Sequence, residues 1–263
     1  MTINKRYPEA DTPMLTCLHA IDRAVDEMFA YNEAAGIPLN PVLVDDIKSD
    51  LFSIAITGGR PADYFNELGH GVYKECYSLF GGWIVKFASP RNNTAAEKQI
   101  LEAAAEAGLS QVFLKTIFID LPVELPADIL SSDDDIIDTF LSNYSEFTCG
   151  SDTLNTMIFQ PRVAISSELP DREVPCWEEE YIKDPLEFTN GIKVPYSQCY
   201  STEISSLTWL QACIDTYGDD IFGRLCEFID RFHLSDLHTG NIGYLITPNA
   251  EFPIILDWVS QYY

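Results

Sequence analysis

Between residues 14 and 35 apolar side chains recur at three- and four-residue steps, at Leu15, Leu18, Ile21, Val25 and Met28. That spacing sets them on one face of a helix, and Gly36 and Pro38 supply its stop. A second short helix is predicted over 41–55. From 64 to 88 the pattern changes: "YFNELGHGVYKECYSLFGGWIVKFA" carries short apolar and aromatic runs broken at Gly69 and Gly71 and again at Gly81 and Gly82. It predicts three antiparallel strands joined by two turns. Residues 94–107, "TAAEKQILEAAAEA", are strong helix formers closed by Gly108, and the strand-like run "VFLKTIFI" follows.

Further on, 126–152 include "SSDDD" and read as a solvated acidic insertion. "LNTMIFQPRVAI" returns to strand and meets Pro161, a natural connector between lobes. Across 165–205 prolines and acids surround "LEFTNGIKV", where Asn190-Gly191 between apolar flanks predicts a hairpin. Residues 205–231 are predicted helical, with Ile221, Phe222, Leu225, Phe228, Ile229 and Phe232 on one face. The divisions expected are a helical segment at 1–60, a sheet-containing lobe at 61–161 and a mainly helical lobe at 162–263.

Composition narrows the function. With 263 residues, 46% of them hydrophobic, the chain can bury the core of one large domain or two lobes. Sixteen Lys and Arg against 41 Asp and Glu give a net charge of −25. That balance opposes nucleic acid and anionic lipid and favours partners with basic surfaces. The seven cysteines are scattered without a Cys-x-x-Cys pair, which argues for reduced thiols and against a zinc site. No leader pattern or membrane-length apolar run is present, so a cytoplasmic protein is expected.

Candidate chemistry concentrates in "FHLSDLHTGNIGYLITPNAEFPIILDWV", which holds Asp236, His238 and Asn241 in one loop and Asp257 after an apolar run. Upstream, Gly69 and Gly71 flank His70 in "LGHGVYKECY", and Lys86 is the one cation in "WIVKFA". Glycines let backbone N–H groups approach a triphosphate, a lysine can reach its α- and β-phosphates, and carboxylate and amide oxygens suit Mg²⁺. Each residue also has an ordinary reading. Two glycines make a turn, Lys86 points to solvent, Asp236 and Asp257 cap local backbone, and His238 is a satisfied buried histidine. A lysine clamp needs an acidic partner on the next helix. Glu97 shares a face with Ile100, Leu101 and Ala104 but also completes a Thr94-x-x-Glu97 capping box, and Glu102 is the alternative.

In this order "LGHGVYKECYSL", "WIVKFA", "SDLHTGNIGYL" and "IILDWV" resemble the nucleotide loop, lysine strand, catalytic loop and metal-binding segment of protein-kinase-like folds. The Asp-x-His-x-x-Asn loop is similar to that of aminoglycoside and choline phosphotransferases, and most of all to that of early Ser/Thr protein kinases of T7-like bacteriophages. The resemblance covers about residues 64–259. It departs where Lys74 replaces a third loop glycine, where Asp257-Trp258-Val259 replaces Asp-Phe-Gly, and where Leu234 stands two before the aspartate. Only six residues follow Asp257, so acceptor docking is expected to fall to the N-terminal helices, residues 165–205 or another chain.

The resemblance implies an α+β, bilobal fold with a small antiparallel-sheet N-lobe and a mainly helical, truncated C-lobe. It implies ATP and Mg²⁺ as cofactors and phosphorylation of host proteins in the host cytoplasm. Asp236 would be the base, Asn241 and Asp257 the metal ligands, and Lys86 the phosphate clamp. Gly69, His70, Gly71, Lys86, Glu97 and Asp257 would surround the nucleotide. Two other readings are a small-molecule phosphotransferase with a cationic acceptor and an acidic DNA mimic or host-protein inhibitor on a kinase-like scaffold.

Overall fold

A computed structural model describes residues 13–36, 41–57, 60–70, 74–80, 82–88, 94–121, 155–169, 171, 206–248 and 250–260. The fold is mixed α+β. It divides into two compact units, Met1–Asn92 with Thr116–Gln160, and Asn93–Lys115 with Pro161–Tyr263. The sequence reading assigns 94–115 to the 61–161 lobe; these residues cluster instead with the second unit. The acidic stretch 126–152 and the hairpin expected around Asn190-Gly191 lie outside the described residues.

In the first unit helices α1 (Pro13–Ala35) and α2 (Pro41–Thr57) share a core with a five-stranded sheet. Its strands are β1 (Asn66–His70), β2 (Lys74–Ser78), β3 (Trp83–Ala88), β4 (Ile117–Leu121) and β5 (Asn155–Pro161), in the order β1-β2-β3-β5-β4. The expected three-stranded meander is present, with β1–β2 and β2–β3 both antiparallel. Alternation decides which side chains enter the core. Trp83, Val85 and Phe87 of β3, with Met157 and Phe159 of β5, pack against Ile21, Val25 and Met28 of α1 and Leu51 and Ile54 of α2. Each such side chain contributes about 1.5–3 kcal/mol by leaving water. One polar tie crosses this core: the buried Trp83 Nε1–H donates to Asn32 Oδ1 at 2.8 Å. Helix α1 ends as predicted, at Gly36 with φ +69°, whose N–H donates to the Glu33 carbonyl.

The second unit holds α3 (Thr94–Glu106), α4 (Leu207–Tyr217), α5 (Asp219–Phe232) and the strands β6 (Ala164–Ile165), β7 (Leu234–Ser235), β8 (Ile242–Ile246), β9 (Glu251–Ile255) and β10 (Val259–Ser260). The predicted helix over 205–231 is two helices. Gly218, at φ +80°, closes α4 by donating to the Ile214 carbonyl and opens α5. The Ser206 hydroxyl accepts the Trp209 N–H as the N-cap of α4. The run "VFLKTIFI" is likewise not one strand. Phe113 bridges to Ile255 of β9 within the second unit, while Ile117 begins β4 of the first. Polar Lys115 and Thr116 separate the two parts.

Among the described residues no helix is long and apolar enough to cross a membrane. Cys17, Cys213 and Cys226 are buried free thiols. Burial, reinforced by the Asp120 carboxylate, pushes Cys17 up to about 12, and burial with the Glu227 charge does the same for Cys226. They belong to the core and not to a site.

Candidate functional site

Helix α5 aims the chain at the site. Its apolar face, with Phe222, Leu225, Phe228 and Ile229 all buried, sits in the second unit's core as the spacing predicts. The helix stops at His233, a non-glycine residue in the left-handed region at φ +46°. The two buried residues of β7 follow, and the next residue, Asp236, is again left-handed at φ +65°. Aspartate tolerates this conformation better than most residues because its short polar side chain bonds locally. The double reversal turns residues 236–241 into a tight loop between β7 and β8.

Bonds within the loop fix its side chains. The Asn241 N–H donates to the His238 carbonyl at 2.8 Å. The Asn241 amide nitrogen donates to the Asp236 carbonyl at 2.8 Å and to Asp236 Oδ2 at 3.1 Å. The Gly240 N–H donates to His238 Nδ1 at 2.9 Å. His238 Nε2 then lies 3.6 Å from Asp236 Oδ1. His238 is exposed, not the buried histidine of the ordinary reading, with its side chain 56% accessible against 48% for Asp236.

Two ladders bring Asp257 to the same place. β8 pairs antiparallel with β9 from Ile242↔Ile255 to Ile246↔Glu251, so β9 runs back toward the loop. The Asn241 carbonyl accepts the N–H groups of Leu256 at 2.9 Å and Asp257 at 3.3 Å. Past Asp257 the chain pairs with the strand that precedes Asp236, in the register Val259↔Ser235 and Ser260↔Leu234. The Asp257 Oδ1 accepts the Trp258 N–H at 3.0 Å, and the Trp258 ring is buried, edge-on to Phe113 at 5.3 Å. Phe113 in turn meets Phe228 at 5.6 Å. Asp257 is therefore held on one side by the Asn241 backbone and on the other by an aromatic stack rooted in α5.

The structure thus gathers Asp236, His238, Asn241 and Asp257 within the second unit. With its nitrogen committed to Asp236, the Asn241 amide offers its oxygen as a hard ligand. A half-buried carboxylate and an amide oxygen match the few protein donors Mg²⁺ requires. Among the described residues no group of three or more His, Cys, Asp or Glu is assembled as a metal site. A site of the Asn241 and Asp257 kind is of another composition.

The other expected residues are placed as follows. Lys86 is half-buried in β3 of the first unit, opposite Cys76, on the sheet face away from Trp83, Val85 and Phe87. Gly69 is not in a turn: it pairs with Cys76 in β1 after a register shift at Glu67, because the ladder continues to His70↔Glu75. A side chain at Gly69 would meet nothing within 4 Å, so the backbone there is open to close approach. Gly71 lies outside the described residues. Glu97 is half-buried in the first turn of α3 and Glu102 is exposed, both in the second unit.

Sequence reasoning overlooked two glycines that shape the loop. At Gly240 a Cβ would lie 2.8 Å from His238 Cε1, so the ring is seated directly on this residue. At Gly243 a Cβ would lie 2.4 Å from the Ala164 carbonyl oxygen, so only glycine lets β6 lie against β8. A lone glycine inside an apolar strand is the available signal for such close approach. No family model matches this chain, and neither a curated protein nor a solved structure matches it.

Proposed function

We propose that the protein is an ATP-dependent Ser/Thr protein kinase of the phage type, on a bilobal protein-kinase-like fold, acting on basic host proteins in the host cytoplasm. The observation that carries this reading is the convergence of Asp236, Asn241 and Asp257 through the Asn241 carbonyl and the β7–β10 ladder. Up to 21 residues apart in sequence, Asp236 is bonded by the Asn241 amide and Asp257 is tied by its backbone N–H to the Asn241 carbonyl, which supports a reading of one base with two metal ligands.

In this reading the acceptor hydroxyl oxygen forms a bond to the γ-phosphorus. The bond from that phosphorus to the bridging oxygen breaks, and ADP leaves with the electron pair. Asp236 takes the hydroxyl proton. Asn241 and Asp257 would hold Mg²⁺, which when bound neutralises charge on the β- and γ-phosphates. Lys86 would be the residue that holds the α- and β-phosphates. The net charge of −25 supports basic acceptors over nucleic acid.

Melting in the presence of Mg²⁺ and a non-hydrolysable ATP analogue tests the reading. A ligand at a hundredfold excess over its Kd stabilises by about 2.7 kcal/mol, a rise of roughly 5–10 °C for a chain of this size. Asp257→Asn keeps an oxygen for the Trp258 N–H but removes the charge. It should melt near the wild type alone and lose the magnesium-dependent rise. A rise of the same size in this variant counts against the metal assignment.

A further inference from the structure

We propose that His238 is a positioning residue for Asp236, turning the Asp236 carboxylate so that it faces an acceptor hydroxyl. This rests on the phosphotransfer reading. The Gly240 N–H is a donor that cannot change its role, and it points at His238 Nδ1 from 2.9 Å. Nδ1 is therefore an acceptor, and the ring carries its proton on Nε2. That nitrogen lies 3.4 Å from the Asn241 amide nitrogen and 3.6 Å from Asp236 Oδ1, and because the amide nitrogen is itself a donor, the carboxylate oxygen is the acceptor of the two.

The carboxylate is then addressed at both oxygens, by the Asn241 amide on Oδ2 at 3.1 Å and by the imidazole N–H on Oδ1. At 3.6 Å the second contact is electrostatic and not a hydrogen bond. A small turn of the Asp236 side chain closes it, and such contacts tighten when substrate arrives. Gly240 completes the arrangement, because the ring rests where any other side chain would begin. With both side chains about half accessible, the contact adds little to folding stability. Its effect belongs to the rate of transfer.

Two substitutions separate positioning from loop closure. His238→Asn places an amide oxygen near the Nδ1 position, so it keeps the Gly240 bond and loses the donor toward Asp236. His238→Gln carries an amide N–H out to the Nε2 position and gives up the Gly240 bond. With Mg-ATP and bacterial lysate proteins as acceptors, His238→Asn should lower kcat roughly 10- to 100-fold with KM for ATP unchanged. His238→Gln should retain kcat within about threefold of wild type. The reverse order, with Asn active and Gln impaired, would show that His238 only closes the loop and would overturn the proposal.

A second arm is independent of activity. In nitrogen-15 spectra of the full chain, His238 should show an unprotonated Nδ1 and a protonated Nε2, and Asp236→Asn should move the Nε2 resonance most among the four histidines. The opposite tautomer, or an Nε2 resonance indifferent to Asp236→Asn, overturns the positioning role. Absence of transfer by the wild type with the spectral shifts intact refutes the kinase reading and leaves the His238–Asp236 coupling standing.

Discussion

Gly243→Ala is the most demanding perturbation of the second unit. Gly243 lies in β8 with an ordinary extended backbone, so conformation alone would make alanine the better residue, by roughly 0.5–1 kcal/mol. The surroundings reverse the sign. A Cβ would lie 2.4 Å from the Ala164 oxygen, 2.9 Å from Ile165 Cα and 3.1 Å from the Ala164 carbonyl carbon, all backbone atoms that cannot swing aside. Overpacking of this kind costs about 1–3 kcal/mol. The Gly243 carbonyl also accepts the buried Trp209 Nε1–H at 3.0 Å, and straining that bond adds about 1 kcal/mol. The net loss should be about 1–3.5 kcal/mol, read by urea denaturation, with melting lowered by roughly 2–14 °C. Gly240→Ala is the control. Its Cβ would meet only the ring of the exposed His238, which can rotate away, so stability should stay within about 0.5 kcal/mol of wild type. A Gly243→Ala variant as stable as wild type would refute the claim that β6 lies on this glycine.

Two further outcomes follow from buried groups in both units. Burial raises Cys17 and Cys226 to about 12 and Cys213 in the same direction, so the folded chain keeps thiol protons that the unfolded chain releases near 9. Stability should be full below pH 9 and fall as the pH climbs from 9 toward 12, by roughly 1.4 kcal/mol per thiol per unit; a urea midpoint that is flat from pH 8 to 10.5 contradicts this. Trp83→Phe removes the donor 2.8 Å from Asn32 and should cost about 1–3 kcal/mol by the same denaturation, so a change below 0.5 would show that α1 does not depend on this bond.

Much of this architecture is legible from periodicity. The α1 stripe, the β1–β3 meander and the buried face of α5 all follow from apolar spacing, because burial dominates the energy of those segments. The errors have local causes. The break at Gly218 is hidden in a region whose apolar pattern continues across it, and "VFLKTIFI" looks uniform although Phe113 and Ile117 serve different sheets. Gly69 reads as a turn because strand glycines and turn glycines look alike in one sequence. In the candidate site the residue types and their order are visible. What sequence does not carry is the left-handed φ of Asp236, the His238 ring seated on Gly240, or the return of β10 onto β7. Those depend on contacts between residues far apart in the chain.

Transfer of labelled γ-phosphate from Mg-ATP into bacterial lysate proteins tests the proposed role of Asp236 as the base. Asp236→Asn is the variant to compare, since asparagine tolerates the φ of +65° and keeps an oxygen for Asn241 while lacking the basic carboxylate. Label is expected on serine and threonine of lysate proteins with the wild type, lost at least 100-fold in the variant, on the order expected for a general base. Equal labelling by the two proteins, or none by the wild type, would contradict it.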